Sequence, residues 1–561
     1  MFEWFASSLR SAPELAIFLA LAIGFFVGAI KVSTISLGSV TGTLLAGVLI
    51  GQLGIEISPQ IKAIFFIMFL FAVGFGVGPQ FVRGIAHDGV PQALFAVVIS
   101  CLCLASVWIA AKVAGYGPGE AVGLLAGSQT ISAAIGVATD TLNQSGMSPQ
   151  EITRQLNSIP VAYAVTYLFG TVGTGLLITF LGPRLLRVNI ADECARYERE
   201  MSQGTPDSGI EAAWHQYIIR AFRLHEQGLV AGKTVAEAEA MVAGSRMFLE
   251  RLRRDGKIIP FDRNTLLQVG DVLAVSGPHS SIVHWSNRAE EVNDHELLDI
   301  PVETLDVCIT SGKVNGRTLI ELSHEDFARG VYINRIRRGA MSVDIPVLAQ
   351  SKVYRGDIVS LTGTRTHVEA IAKAIGYADR PTSVTDMVLV GSGIVLGGLL
   401  GSIVIHLGGI PLTLSTSGGA LIMGLIFGWL RSFTPRMGSI PSASVWFMNN
   451  VGLNIFIAVV GISAGPTFIA GLKEIGVEMF MWGIFATSVP MILAPLIGKY
   501  IFRFDPAINL GCCGGARTST ASAAMVSEVA RSNVPMLGYT VPYAISNTLL
   551  TLWGMVIVLL L

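Results

Sequence analysis

The chain has 561 residues, 52% of them hydrophobic and only 14% charged, with a formal net charge of −1 and a mean hydropathy of +0.61. An ordinary soluble domain carries roughly 25% charged residues, so an entirely soluble protein is excluded, and with no basic, aromatic-interleaved patch no nucleic-acid partner is expected. The six cysteines lack metal-ligand spacing: Cys101 and Cys103 share an apolar run, Cys512 and Cys513 are adjacent, and Cys194 and Cys308 are isolated, the pattern of buried small hydrophobes.

In chain order, apolar runs lie near residues 15–30, 37–53, 61–82, 91–114, 121–138 and 159–181. The first follows Pro13 without a small-residue cleavage site and reads as an uncleaved span. A charged, normally patterned segment from about Arg184 to Asp379 intervenes. Runs then resume near 387–407, 412–430, 445–470, 477–497, 507–529 and 537–561. Most approach the roughly 20 residues that span a hydrocarbon core about 30 Å thick.

The two sets are copies. Gly74, Gly78, Pro79, Phe81 and Gly84 recur as Gly461, Gly465, Pro466, Phe468 and Gly471, and Gly42, Gly47 and Gly51 as Gly419, Gly424 and Gly428. Gly127 to Ser132 (Gly-Ser-Gln-Thr-Ile-Ser) answers to Gly515 to Thr520 (Gly-Ala-Arg-Thr-Ser-Thr), and Tyr163-Ala164 to Tyr543-Ala544. Internal repeats of this kind mark secondary transporters, whose substrate site lies where the repeats meet.

The fifth run of each half is rich in Gly, Ser, Thr and Ala and would face lipid poorly. Non-helical backbone at membrane depth is tolerated where it is buried or lines a cavity, so both runs are predicted to be interrupted or re-entrant helices. Five full crossings remain in each half. The repeats are then inverted, and the middle is cytoplasmic. On that count Lys31, Arg83, Arg184, Arg187, Arg431, Arg436, Lys499, Arg503 and Arg531 fall on the predicted inner side, against Lys62, Lys112, Arg154 and Lys473 outside. Six parallel crossings per half are the alternative count. The expected domains are a membrane repeat over 1–183, a linker and first soluble module over 184–294, a second module over 295–380, and a membrane repeat over 381–561.

The modules are themselves duplicated. Gly232, Leu252 to Arg254, Pro260 and Leu267 to Gly277 recur as Gly316, Ile336 to Arg338, Pro346 and Val353 to Gly363, with alternating apolar residues after each Gly-Asp turn. The pattern resembles the TrkA-C ligand-binding domain of potassium-conductance regulators, a small α+β fold. That resemblance implies a regulatory sensor with a small-molecule ligand, or a dimerising cap.

Two such membrane halves flanking tandem TrkA-C-like modules resemble the aspartate:alanine exchanger family of bacterial antiporters, over nearly the whole chain from about Leu15 to Leu561. Relatives often read Thr-Ser-Thr-Pro after that Gly-Ser; Ile131, Ala133 and Ala521 depart from it here. The resemblance implies an electrogenic antiporter of the bacterial cytoplasmic membrane, exchanging aspartate for alanine without a cofactor, as a homodimer. Competing expectations are an exporter of glutamate or another dicarboxylate, and an ion channel or cation exchanger gated by the modules. Against the channel stands the absence of a Thr-Val-Gly-Tyr-Gly filter.

A substrate carboxylate inside a membrane needs donors, and broken-helix ends provide them. Gly127, Ser128, Gln129, Thr130 and Ser132, with Gly515, Thr518, Ser519 and Thr520, are the candidate lining; small residues that let helices pack closely are the structural alternative. Arg517 is the sharpest candidate, because a guanidinium in an apolar run is costly and functional by default, and it could clamp a carboxylate. Its repeat partner is the neutral Gln129. Arg83 and Asp140 look like charged positions the exchanger family carries, with gating or charge-coupling roles, and equally like solvated helix ends. No zinc, Walker or Gly-x-Ser-x-Gly constellation is present, so neither an ATP-driven pump nor a hydrolase is expected.

Overall fold

The structure, a computed structural model, describes residues 2–32, 35–36, 38–86, 89–201, 217–225, 230–241, 247–278, 282, 289–339, 343–378, 384–407, 410–433 and 440–561. The chain divides into one compact unit of Met1–Tyr197, Arg338–Ile345 and Pro381–Leu561, and a second of Glu198–Arg337 with Pro346–Arg380.

The first unit is helical. Its first half runs α1 (Phe2–Ser11), α2 (Pro13–Ala29), α3 (Ser39–Gly51), α4 (Pro59–Ala86), α5 (Val90–Ala114), α6 (Pro118–Ser128), α7 (Ala133–Asn143) and α8 (Pro149–Leu176), the last continued by a π-helical turn over Leu177–Leu181. Its second half runs α9 (Met387–Gly401), α10 (Ser415–Arg431), α11 (Ser442–Tyr500), α12 (Pro506–Ala516), α13 (Thr520–Ala530) and α14 (Met536–Leu560). Proline fixes many starts, as at Pro13, Pro59, Pro118, Pro149 and Pro506, where the missing N–H costs nothing. Among the described residues five helices are long and apolar enough to cross a membrane, or six if α1 and α2, bent by 111° before Pro13, are counted together as one broken span. The chain is a polytopic helical membrane protein, two membrane segments flanking a β-rich middle.

Two runs are shorter as helices than as apolar sequence: α3 has 13 residues, preceded by the paired strands Lys31–Val32 and Ile35–Ser36, and α9 has 15, because the end of its run forms the strand Val404–Leu407, paired with Ile410–Thr413. A second difference is larger. The separate runs expected at 445–470 and 477–497 form one helix, α11, of 59 residues. In the first half a separate helix, α5, starts with Gly89 as its N-cap and Pro91 in its first turn. The equivalent stretch around Lys473 and Glu474 holds no proline, so nothing stops the helix there.

The halves interlock reciprocally. Each glycine-rich helix of one half lies on the Gly-Pro-x-Phe helix of the other, α3 on α11 and α10 on α4. A β-carbon at Gly51 would sit 2.2 Å from the Ile462 carbonyl oxygen, and one at Gly428 would sit 2.1 Å from that of Phe75. Backbones approach this closely only where side chains are absent.

The middle of the chain forms two antiparallel modules, which belong to the second unit except for Arg338 and the short strand Val343–Ile345. Strands β1 (Tyr217–Arg223), β2 (Phe248–Arg254), β3 (Lys257–Ile259), β4 (Val272–Pro278) and β5 (Glu290–Val292) form a sheet in the order β3-β2-β4-β1-β5. Strands β6 (Val302–Ile309), β7 (Val331–Arg338), β8 (Val343–Ile345), β9 (Ile358–Thr364) and β10 (Gly376–Ala378) repeat it as β8-β7-β9-β6-β10. The duplication extends to the capping boxes Thr234/Glu237 and Thr318/Glu321, which satisfy the same two helix-end donors in each copy.

Candidate functional site

One helix of each half is broken at mid-length. Residues Gln129 to Ser132 separate α6 from α7, and Arg517 to Ser519 separate α12 from α13. Both breaks have the same geometry. The Thr130 and Ile131 N–H groups donate to the carbonyls of Gly127 (3.1 Å) and Ala126 (2.9 Å); those of Thr518 and Ser519 donate to Gly515 (2.8 Å) and Gly514 (3.2 Å). This is the Schellman pattern, with a left-handed residue just past the helix end. Glycine usually takes that place, yet here it is Thr130 (φ 54°) and Thr518 (φ 52°). A β-branched residue in that region is a true outlier, costing on the order of 1–3 kcal/mol, and such strain concentrates at functional sites.

The two breaks meet. Thr130 Oγ1 donates to the Arg517 carbonyl at 3.4 Å, while Arg517 Nη2 donates to the Ser128 carbonyl and, at 2.9 Å, to Thr174 Oγ1 of α8. The Ser128 carbonyl also accepts from Thr487 Oγ1 of α11 at 3.1 Å. Gln129 Nε2 donates to the Ala486 carbonyl at 3.0 Å and to Ser128 Oγ at 3.1 Å. Arg517 therefore ties the second half to the first through two acceptors.

The guanidinium is 0% exposed. Of its five N–H donors, those on Nε and Nη1 have no partner among the described residues, and neither do Gln129 Oε1 and Thr518 Oγ1. A buried cation is normally paired with a carboxylate, because its desolvation costs several kcal/mol. Around it, the carboxyl-terminal ends of α6 and α12 carry partial negative charge and the amino-terminal ends of α7 and α13 partial positive charge. The crossing thus offers one pole to an ammonium and another, with the guanidinium, to a carboxylate.

The remaining candidates divide. Ser132 Oγ and Thr520 Oγ1 contact tyrosine hydroxyls, Tyr163 at 2.6 Å and Tyr539 at 3.0 Å. Ser519 caps α13, accepting from the Ser522 N–H at 3.3 Å. Gly127 and Gly515 are pressed against α8 and α14: a β-carbon would come within 2.7 Å of the Tyr163 carbonyl oxygen at the first and 2.4 Å of that of Tyr539 at the second. These contacts correct the expected tyrosine match by one helical turn, since Tyr163 pairs structurally with Tyr539, not Tyr543. Asp140 lies apart on α7, where its carboxylate accepts from Ser417 Oγ at 2.6 Å in the first turn of α10; a negative charge is favourable at a helix amino-terminus. Arg83 belongs to α4, and its side chain lies outside the described residues.

Thr174 and Thr487 were not singled out by sequence. The signal for Thr174 was available in the run of Gly and Thr from Gly170 to Gly175 within an apolar helix. Among the described residues no group of three or more His, Cys, Asp or Glu is placed to hold a metal.

Residues 16–183 and 389–559 match a family model described as a predicted permease membrane region, Asp-Al_Ex. An uncharacterized transporter of Shewanella oneidensis is 48% identical over the full length of both chains. Uncharacterized transporters of Bradyrhizobium diazoefficiens (37% identical, 92% of this chain and 100% of the relative) and Bordetella parapertussis (36% identical, 99% and 98%) are also similar. No solved structure matches. With both membrane segments matched and full-length relatives of the same organisation, the chain belongs to the Asp-Al_Ex family of membrane permeases.

Proposed function

We propose that this membrane transporter is a secondary antiporter exchanging aspartate for alanine across the bacterial cytoplasmic membrane. The observation that carries the proposal is Arg517: fully buried, at the crossing of two broken helices, with Nε and Nη1 unpartnered among the described residues. Such a group is suited to an amino-acid carboxylate, with Ser128, Gln129, Thr130 and Thr518 as neighbouring polar groups. Because Nη2 is already engaged, a bidentate clamp through that nitrogen would displace Ser128 or Thr174. Aspartate carries one net negative charge and alanine none, so each exchange moves charge across the membrane.

In this reading the repeats are inverted, the modules face the cytoplasm and regulate exchange by binding a small molecule, and the carrier works as a homodimer. Counterflow in proteoliposomes tests it. Labelled aspartate should accumulate when alanine or aspartate is trapped inside and not in empty vesicles. Uptake indifferent to the trapped amino acid, or no uptake of either, would exclude aspartate:alanine exchange; counterflow with glutamate or succinate alone would favour a dicarboxylate exporter.

A further inference from the structure

We propose that Arg517 is an exchange lock: it holds the empty carrier in one orientation, and a substrate carboxylate releases it. The proposal rests on the carboxylate-binding role given to this residue above and adds the coupling rule that the site imposes.

The geometry supplies the device. Arg517 belongs to the second repeat, whereas both acceptors of Nη2, the Ser128 carbonyl and Thr174 Oγ1, belong to the first. Alternating access requires one repeat to move against the other, and any movement that parts α12 from α6 and α8 strips Nη2 of both acceptors. Among the described residues Nε and Nη1 already have no partner. All five donors of a buried cation would then be bare at the point of crossing, the most unfavourable arrangement for an ion in a low-dielectric interior. With a carboxylate on Nε or Nη1 the cation keeps its counter-charge throughout. The ligand therefore stabilises the crossing state more than the resting state, as any ligand must if it is to drive a conformational change. A single hydrogen bond to a charged group corresponds to about ten- to a hundredfold in rate or equilibrium.

Two substitutions open the lock in different ways. Arg517→Gln removes the cation. Thr174→Asp keeps it but installs a permanent carboxylate where Nη2 now meets a hydroxyl at 2.9 Å. Thr174→Val removes one of the two acceptors without adding charge, and should weaken the lock without opening it.

The test is efflux of labelled aspartate from proteoliposomes of the full chain, into buffer with and without external alanine. Wild type should show stimulation by alanine of about tenfold or more and Thr174→Val a smaller stimulation still above one; Arg517→Gln and Thr174→Asp should leak, with a ratio near one. Retention of the wild-type ratio by both opened variants would overturn the lock. Absence of aspartate or alanine movement in wild type would instead defeat the functional proposal beneath it. Should the two variants not transport, amide hydrogen exchange of residues 518–522 reads the same equilibrium: the lock requires faster exchange in Thr174→Asp than in substrate-free wild type, and acceleration of wild type by aspartate. Equal rates in all three would refute it.

Discussion

Replacing Arg517 should have opposite effects on the empty and the occupied protein. Arg517→Gln removes a fully buried cation whose Nε and Nη1 have no partner among the described residues. The Ser128 carbonyl keeps a donor in Thr487, and Thr174 Oγ1 still donates to the Gly170 carbonyl at 2.5 Å, so few groups are orphaned in return. The ligand-free variant should thus unfold at a temperature equal to or above that of wild type. Binding should suffer. Loss of one charge-assisted hydrogen bond, about 1.5–3 kcal/mol, weakens affinity roughly ten- to a hundredfold. At an aspartate concentration of about 100 times the wild-type Kd, ligand stabilisation is about 2.7 kcal/mol in wild type, and would drop to about 1.4 kcal/mol after a tenfold loss and about 0.4 kcal/mol after a hundredfold loss. Arg517→Lys, which keeps charge but loses the planar fork, should fall between. Differential scanning calorimetry of the detergent-solubilised chain, with and without aspartate, measures both effects. Ligand stabilisation unchanged in Arg517→Gln, or a marked fall in ligand-free stability, would refute the assignment of an unpaired binding cation.

Other predictions follow from packing, orientation and titration. Gly428→Ala places a methyl 2.1 Å from a backbone oxygen that cannot yield cheaply and should destabilise by about 1–3 kcal/mol, whereas Gly391→Ala on α9, which meets open space, should be neutral or stabilising; equal melting shifts for the two would contradict the packing. A cysteine replacing the exposed Lys257 between β2 and β4 should react with an impermeant thiol reagent only from the cytoplasmic side, and labelling of intact cells would reverse the proposed orientation. Between the modules, Glu250 (4% exposed) accepts from Ser276 Oγ at 2.6 Å and faces His367 Nδ1 at 3.6 Å, with Thr364, Arg329 and Glu239 alongside. Burial raises the Glu250 carboxyl above its ordinary 4.5, opposed by Ser276 and Arg329, and burial followed by Arg329 lowers His367 below its ordinary 6.5. The Glu250 contribution to stability is therefore complete below pH 4.5 and lost as pH rises through its raised value, and the His367 contribution is complete above pH 6.5 and diminishes as pH falls. Glu250→Gln should flatten the first slope and His367→Gln the second in pH-dependent unfolding of the modules; unchanged slopes would contradict the burial of the pair.

Much of the architecture was legible because the chain states it twice. The Gly-x-x-Thr breaks and the duplicated Gly-Asp turns each mark a backbone event that local residues determine. Partners across the fold were not legible. Glycine spacing along α3 and α10 announces a close neighbour without naming it, and only the structure pairs them with α11 and α4. The continuous α11 was missed because an apolar run interrupted by Lys473 and Glu474 resembles two spans, although nothing there breaks a helix. The tyrosine register slipped by one turn because sequence offsets differ between α8 and α14, while each tyrosine's place is set by the glycine opposite it. Arg517 stood out as a lone charge in apolar surroundings; that its acceptors come from the other repeat, Thr174 among them, is a tertiary fact.

The central claim, a substrate carboxylate held by Arg517 where the broken helices cross, is tested most directly by solid-state NMR on the protein in bilayers with 15N-labelled arginine and 13C-carboxyl aspartate. A dipolar contact corresponding to about 4 Å or less, the range of a direct ion pair, between bound carboxylate and the Arg517 guanidinium is expected, and it should disappear in Arg517→Gln. Bound aspartate whose carboxylates show no arginine contact, or an identical contact in the Gln variant, would contradict it.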